Sequence, residues 1–209
     1  MAQRHASRGK SKRKKSGGKS KKGKVILIVS IVLVVAAAAA AAFMFLPRFF
    51  NTMKYPMKYS EYVEKSSKEN NLDPNLVYAV ILTESKFEPK AQSNAPAYGL
   101  MQMTETTFNE FMSRRGEEGK YTVNDLFTPS VSIDYGCCYL RYLLDYYGDN
   151  EICAIAAYNG GMNTVDEWLS NPEVCPDGVN IIVDKIPYDE TKKYVQKVEE
   201  AKKMYKELY

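Results

Sequence analysis

The sequence has few of the side chains that usually hold a metal ion. It contains one histidine, His5, and four cysteines among 209 residues, and the cysteines form no CxxC pair. Zinc sites are built from cysteine and histidine ligands at short spacings, so a zinc centre is a poor interpretation of these residues. We therefore expect neither a metal site nor a cofactor.

Acidic residues are missing from the first 46 positions, which gives the chain two oppositely charged parts. Residues 1–24 hold eleven lysines or arginines, and residues 25–46 hold no charged side chain. Residues 47–209 hold the other 18 basic residues and all 25 acidic ones, a formal charge of −7. The net charge of +4 thus combines a basic tail with an acidic body.

The uncharged run at residues 25–46 is long enough to cross a membrane. As a helix its 22 residues would rise roughly 33 Å, and a hydrocarbon core is ~30 Å thick. Secretory signals have a shorter apolar region of about 7–15 residues, so we predict an uncleaved transmembrane helix, with cleavage after one of its alanines as the alternative. Basic flanks stay cytoplasmic, so a single-pass cell-membrane protein is expected, with residues 1–24 inside and residues 47–209 outside.

The basic tail has a second interpretation, because lysine- and arginine-rich segments can also bind nucleic acids. Residues 1–24 lack aromatic side chains that could stack on bases, and they adjoin the predicted span. We therefore favour a topogenic tail that contacts anionic lipid, and we expect no nucleic-acid partner. Residues 47–57 are predicted to form a short connector to a folded domain at residues 58–209.

The four cysteines all fall in the part of the chain predicted to lie outside the cell, where disulfides can form. They are Cys137, Cys138, Cys153 and Cys175. The first two are adjacent in sequence, which disfavours a bond between them. Buried free thiols and a disulfide both remain open.

Helical patterns cover most of the body. Capping residues and apolar stripes of helical period predict helices that begin at or near Ser60, Asp73, Thr104, Ser130, Ile152, Asn163 and Asp189. Asp73 is followed by Pro74, which pairs a carboxylate cap with a proline at the first helical position. A strand is considered only at residues 179–183, so the predicted fold class is mainly α.

Glu84 has an unusual position on the helix that begins near Asp73. It follows Val77, Val80 and Ile81 at helical spacing, which puts its carboxyl on the apolar face. A carboxyl among apolar groups keeps its proton to higher pH, as a general acid near neutral pH requires. The helix pattern alone nevertheless favours a plainer interpretation, in which the side chain reaches water beyond the last turn.

Four motifs along the body change that balance. In order they are Glu84-Ser85-x-Phe87-x-Pro89-x-Ala91-x-Ser93, Gly99-Leu100-Met101-Gln102, Ala157-Tyr158-Asn159-Gly160-Gly161 and Glu190-Thr191-x-x-Tyr194-Val195. Their order and spacing resemble the soluble-lytic-transglycosylase (SLT) family over about residues 70–200. The resemblance implies a lysozyme-like, mainly helical domain whose partner is the glycan strands of peptidoglycan.

The resemblance also implies roles for the matching positions. Glu84 would be the catalytic acid and base. The other matching positions would bind substrate or shape the cleft around it: Ser85, Ser93, Gln102, Tyr158, Asn159, Glu190 and Tyr194. Among these, Tyr158 and Asn159 would contact the sugar or position the catalytic acid. Glu190 and Tyr194 would close the far wall of the cleft.

These roles favour a reaction that uses one carboxyl group. Glycoside hydrolysis normally needs two carboxylates, and Glu88, the only other acid between Glu84 and Gln102, is expected to face solvent. We therefore expect a lytic transglycosylase that forms a 1,6-anhydro ring on N-acetylmuramic acid without using water. The alternatives are a muramidase on the same fold, similar to goose-type lysozyme, and a catalytically silent wall-binding protein.

Overall fold

Helices make up most of the chain in the computed structural model, which describes residues 21–92 and 96–209. The chain divides into two units, Met1–Phe49 and Phe50–Tyr209. The predicted fold class, mainly α, is confirmed.

The first helix, α1 (Lys21–Lys54), contains the predicted span. It is 34 residues long, and in the described part of the chain it is the one helix long and apolar enough to cross a membrane, judged by length and composition alone. It continues beyond Leu46, so residues 47–54 of the expected connector are helical. The expected boundary between the span and the connector, after residue 46, is therefore not a helix end.

The described part of the second unit contains seven further helices and a small sheet. The helices are α2 (Ser60–Glu69), α3 (Pro74–Ser85), α4 (Glu105–Arg114), α5 (Pro129–Tyr146), α6 (Glu151–Gly160), α7 (Met162–Leu169) and α8 (Asp189–Leu208). The antiparallel sheet pairs β1 (Ala97–Tyr98) with β2 (Met103–Thr104). Two short 3-10 helices, Val123–Phe127 and Val183–Lys185, lie in the connecting segments.

Two helix starts follow the predicted capping chemistry. The Asp73 carboxylate accepts a hydrogen bond from the Asn75 backbone N–H at 2.9 Å, with Pro74 as the first residue of α3. The Thr104 hydroxyl accepts one from the Thr107 N–H at 3.2 Å and starts α4. Each cap satisfies a backbone donor that has no partner within its helix, so both starts are fixed locally.

The helices predicted near Ser60 and Ser130 are present, but the serine caps expected for them and the strand considered at residues 179–183 are wrong. The cap of α2 is Tyr59 rather than Ser60, and α5 begins after Thr128 rather than Ser130, because Pro129 takes its first position. Residues 179–183 form no strand. The Asp177 carboxylate accepts hydrogen bonds from the backbone N–H groups of Val179 and Asn180, at 2.9 and 2.7 Å. This local turn competes with strand pairing.

Helix α3 lies at the centre of the main hydrophobic core. Its buried residues are Leu76, Val77, Tyr78, Ala79, Val80, Ile81 and Ser85. It packs most extensively against α8, whose inward stripe of residues at helical spacing is buried: Thr191, Tyr194, Val195, Val198 and Tyr205. Fully burying one large apolar side chain stabilises a fold by about 1.5–3 kcal/mol, so this contact holds α3 and α8 firmly together.

A second, smaller core lies beneath the hairpin. It is formed by Met103, Phe108, Phe111, Met112, Leu126 and Tyr135. These residues come from β2, α4, α5 and the 3-10 helix between them, and they pack the hairpin onto α5. Side chains from both cores line the groove described below.

All four cysteines are free thiols in this structure. Cys137, Cys153 and Cys175 are buried, and Cys138 is partly exposed. Burial raises the pKa of the Cys153 thiol to about 11, so this thiol stays protonated and unreactive at neutral pH.

Candidate active site

Glu84 lies in the last turn of α3, where the helix ends sharply. The two residues after Ser85, Lys86 and Phe87, both adopt left-handed backbone conformations, with φ of 53° and 62°. Such a conformation is costly for residues other than glycine, and here the Phe87 ring is buried beneath the turn with 2% exposure. The turn therefore places the Glu84 side chain at the edge of the core, partly exposed, rather than along an open helix.

Two opposing influences set the protonation of Glu84. Burial of the carboxyl raises its pKa from the usual 4.5 to about 7, and a hydrogen bond from Tyr194 acts in the opposite direction. The Tyr194 hydroxyl on α8 donates to Glu84 Oε1 at 2.7 Å. A carboxyl with a pKa near 7 can give up a proton and take it back at neutral pH, as general acid–base chemistry requires.

Tyr158 stands beside this pair without bonding to the carboxyl. Its hydroxyl donates to the Met101 carbonyl at 2.8 Å, and its ring lies 5.1 Å from that of Tyr139. Burial, followed by the nearby charge of Glu84, raises the pKa of Tyr158 well above the usual value for tyrosine. Tyr158 therefore remains a neutral donor, and its bond fixes the loop opposite Glu84.

The Gly99–Gln102 loop is fastened by hydroxyl groups from three helices. Besides Tyr158 on α6, the Ser85 hydroxyl on α3 donates to the Leu100 carbonyl at 2.8 Å. The Ser132 hydroxyl on α5 accepts from the Met101 N–H at 3.2 Å. Because these bonds reach the backbone of the loop, they hold its path against all three helices.

Gln102 closes the same loop from within. Its side-chain Nε2 donates to the carbonyls of Ala91 and Gly99, at 3.0 and 2.8 Å. Its backbone is left-handed, with φ of 47°. The amide nitrogen is thus engaged with the loop, and the residue lines the groove beside it.

Two glycines let the loop approach its neighbours closely. Gly99 has φ of +77°, and a Cβ there would lie 1.9 Å from the Leu126 carbonyl oxygen. A Cβ on Gly136, in α5, would lie 2.3 Å from Met101 Sδ. Both distances are shorter than any non-bonded contact, so a side chain at either position would displace the loop.

A groove runs away from Tyr158 between the two hydrophobic cores. A cavity of about 190 Å³ is lined by Gln102, Tyr158 and Asn159, among others. A second cavity of about 380 Å³ continues from the first along α4 to the start of α7. The two cavities share three lining residues, Thr107, Tyr139 and Gly161. The lining combines aromatic rings, among them Tyr139 and Tyr158, with polar side chains such as Gln102, a composition that suits sugar rings.

The structure brings together some of the predicted site residues. Tyr194 contacts Glu84 directly, while Tyr158 and Gln102 line the adjoining groove. Asn159 is exposed and also lines the groove. We had expected Tyr194 in the far wall of the cleft, but it contacts the Glu84 carboxyl itself.

Other predicted positions have different roles or cannot be described. The Ser85 hydroxyl is buried and bonds the backbone, so we assign Ser85 a positioning role in place of the expected substrate contact. Glu190 is exposed in the first turn of α8, and its side chain has no hydrogen bond or ion pair within residues 21–92 and 96–209. Ser93 lies outside the described residues.

Sequence reasoning missed Ser132 and Tyr139. Ser132 is fully buried, and its role as an acceptor for the loop depends on tertiary placement that no local pattern reveals. Tyr139 lines both cavities and stacks near Tyr158. Helix α5 contains several tyrosines, and nothing in the sequence distinguishes Tyr139, which lines the groove, from those that pack in the core.

No second carboxyl influences Glu84 in the part of the chain that the structure describes. Burial and the Tyr194 hydroxyl are the causes of its pKa shift. The nearest acid in sequence, Glu88, is exposed and accepts a hydrogen bond from the Lys90 N–H at 3.2 Å. Glu110 lines the second cavity, where it is paired with Arg114 at 2.7 Å, and it is not among the causes of the Glu84 shift. The site therefore offers one carboxyl of raised pKa beside the groove.

Comparisons with known proteins connect this geometry to a family. The family model described as "Transglycosylase SLT domain" matches residues 61–176. The soluble lytic murein transglycosylase of Escherichia coli (strain K12) is 30% identical over 145 residues, which cover 69% of this chain and 22% of that protein. The membrane-bound lytic murein transglycosylase C of Salmonella paratyphi B is 31% identical over 167 residues, which cover 71% of this chain and 46% of that protein.

Solved structures agree with the sequence comparisons. The crystal structure of the 70 kDa soluble lytic transglycosylase from Escherichia coli matches with a TM-score of 0.70 and 27% identity, over 75% of this chain and 25% of that one. An inactive mutant of the lytic transglycosylase Slt from Pseudomonas aeruginosa matches with a TM-score of 0.68 and 29% identity, over the same shares. The chain thus spans less than half the length of these relatives. The family model covers more than half of the chain, and the expected lysozyme-like SLT fold is confirmed: the chain belongs to the SLT transglycosylase family.

Proposed function

We propose that this chain is a membrane-anchored lytic transglycosylase of peptidoglycan. It cleaves the β-1,4 bond between N-acetylmuramic acid and N-acetylglucosamine and leaves a 1,6-anhydro ring on the muramic residue. The observation that carries the proposal is the single carboxyl at Glu84, which has a pKa of about 7 and a hydrogen bond from Tyr194. The names of the relatives support the same substrate and reaction.

The reaction needs one proton, which leaves Glu84 and returns to it. Protonated Glu84 donates to the bridging oxygen, and the bond from that oxygen to C1 of the muramic residue breaks. The ionised Glu84 then takes the proton of the C6 hydroxyl on the same residue, and this oxygen closes on C1. Burial favours the acid form for the first step, and the Tyr194 hydroxyl stabilises the carboxylate for the second.

The single carboxyl favours this reaction over hydrolysis. Hydrolysing enzymes place a second carboxylate about 5–9.5 Å from the first, as a nucleophile or to activate water. Glu88 and Glu190 are both exposed, and neither influences the pKa of Glu84. A ring closure by the substrate's own hydroxyl consumes no water, so it has no use for a second acid.

We also propose the membrane topology given by the charges. Helix α1 would cross the membrane once, with the eleven basic residues of segment 1–24 in the cytoplasm and residues 47–209 outside. One relative is itself named as membrane-bound, which supports membrane association. A thiol-reactive reagent that cannot cross membranes tests the orientation in a background with Cys138→Ser, which removes the one partly exposed native thiol of the described residues. With cysteine in place of Ser11 the reagent should fail to label intact cells, and with cysteine in place of Lys120 it should label them.

The decisive experiment digests purified peptidoglycan with the detergent-solubilised protein and weighs the products. The wild-type protein should release muropeptides that are lighter by one water than hydrolysis products, and Glu84→Gln should release none. Glu88→Gln is the matched control, because it neutralises an exposed glutamate four residues further on, and it should behave as wild type. Products of full hydrolytic mass would identify a muramidase instead, and undiminished cleavage by Glu84→Gln would refute the role of Glu84.

A further inference from the structure

A large cavity lies outside the groove, between the last turn of α1, the end of α3 and one face of α8. Its volume is about 730 Å³. Met53, Leu82 and Ala201 contribute apolar surface to its lining, and Tyr55 also lines it. The cavity is thus large enough for a polar headgroup together with part of an apolar chain.

Lysines dominate the polar lining of this cavity. Lys54 pairs with Glu200 at 3.6 Å, and Glu200 is the one acid in the lining. Lys58, Lys86 and Lys197 are exposed, and none of them forms an ion pair with a described residue. These three lysines, which we call the lysine rim, collect uncompensated positive charge on a body whose formal charge is −7.

Chain length keeps the cavity near the predicted span. Met53, in its lining, follows Leu46 by seven residues, and seven residues reach no further than about 25 Å even when fully extended. Phe50 and Met53, two of the residues in between, are 62% and 66% exposed. Exposed apolar side chains next to lysines are typical of segments that contact a membrane surface.

We propose that the lysine rim binds the phosphate of an anionic phospholipid in the membrane that holds α1. Ammonium groups bind phosphate as compact point charges, and a lipid phosphate at the membrane surface would supply the negative charge that the rim lacks. The apolar lining would accept the glycerol end of the acyl chains. This inference rests on the proposed anchoring of α1, and it adds a second membrane contact made by the catalytic domain.

The carboxylates of a wall peptide share the negative charge of a lipid phosphate. We favour the lipid over the wall peptide for two reasons. Only seven residues of chain connect the cavity to the predicted span, and the residues between them include exposed apolar side chains. A wall peptide would require charge alone, and the apolar lining would then stay unexplained.

The test reconstitutes the full-length protein in nanodiscs and measures how fast each lysine is acylated by an amine-reactive reagent. One set of discs contains only phosphatidylcholine, and the other contains phosphatidylcholine with a third of phosphatidylglycerol. In the anionic discs we expect acylation of Lys58, Lys86 and Lys197 to slow about fivefold, equivalent to ~1 kcal/mol for each lysine at the surface. Lys65 and Lys90, exposed and outside this cavity, should react alike in both discs.

Each outcome has a distinct meaning. Equal acylation of the lysine rim in both discs would overturn the proposal, and slowing in phosphatidylcholine discs only after a muropeptide is added would assign the cavity to the wall peptide. The triple substitution of the rim lysines by glutamine should still enter both discs, because α1 is unchanged. A protein that enters neither kind of disc would refute the anchoring by α1, a separate failure from that of the lysine rim.

Discussion

Replacing Tyr194 with phenylalanine tests how the site sets the pKa of Glu84. The substitution keeps the buried ring on α8 and removes the hydroxyl that donates to Glu84 Oε1 at 2.7 Å. That bond stabilises the ionised carboxylate, so its loss leaves burial unopposed. The pKa of Glu84 should therefore rise above its present value of about 7.

The size of the rise follows from hydrogen-bond energies. A bond to a charged group contributes about 1.5–3 kcal/mol, and a bond to a neutral one about 0.5–1.5 kcal/mol. The protonated acid also loses a bond, so the difference that moves the pKa is about 1–1.5 kcal/mol. At 1.36 kcal/mol for each pKa unit, the shift is about one unit, to roughly 8.

The pH dependence of kcat/KM measures this shift, because it reports on groups of the free enzyme. The first step needs protonated Glu84, so wild-type activity should fall as pH rises through about 7. The fall for Tyr194→Phe should be centred near pH 8, on a lower plateau. Tyr205→Phe is the matched control on α8: it removes a buried hydroxyl that donates to the Pro56 carbonyl at 3.0 Å, and it should leave the midpoint unchanged. If the Tyr194→Phe midpoint coincides with wild type or moves to lower pH, the reasoning about this hydroxyl is refuted.

Three further predictions concern stability and charge. Burial raises the pKa of Glu84 from 4.5 to about 7, so the folded state loses stability relative to Glu84→Gln as pH rises between these values. Thermal unfolding should show the variant more stable by about 3 kcal/mol above pH 7 and equal to wild type below pH 4.5. Gly99→Ala should lower the free energy of unfolding in urea by at least ~2 kcal/mol, because the added methyl group would lie 1.9 Å from the Leu126 oxygen. Gly116→Ala is the control: its position has open space around it, so the loss of unfolding free energy should be about half as large. The body carries a charge of −7, so cleavage of intact sacculi should change little between low and moderate salt, and a steep loss would show that bulk charge attracts the protein to the wall.

The position of Glu84 could be predicted because its causes are local. Asp73 and Pro74 fix where α3 starts, and helical spacing then places residue 84 on the apolar face. The choice between a carboxyl held in a site and one that reaches water still depended on the four motifs. The inward stripe of α8 was predictable for the same reason. Amphipathic helices with clear caps therefore gave most of the fold before any tertiary contact was known.

The supports of the site could not be predicted, because they depend on contacts between distant segments. The hairpin has two residues in each strand, too few to show the alternation of apolar and polar side chains that identifies a strand in a sequence. Ser85 belongs to a recognisable motif, yet its role came only from the carbonyl of Leu100, 15 residues away. Ser132 reads as an ordinary polar residue in the first turn of a helix until Met101 is found beside it.

The bond between Tyr194 and Glu84 joins positions 110 residues apart. A ribosome that has just finished α3 has made the acid but not the helix that completes its surroundings. Until α8 docks, residue 84 lacks the packing that raises its pKa and the hydroxyl that steadies its charge. The proposed transglycosylase site is therefore complete only after α8 has been made and has packed against α3.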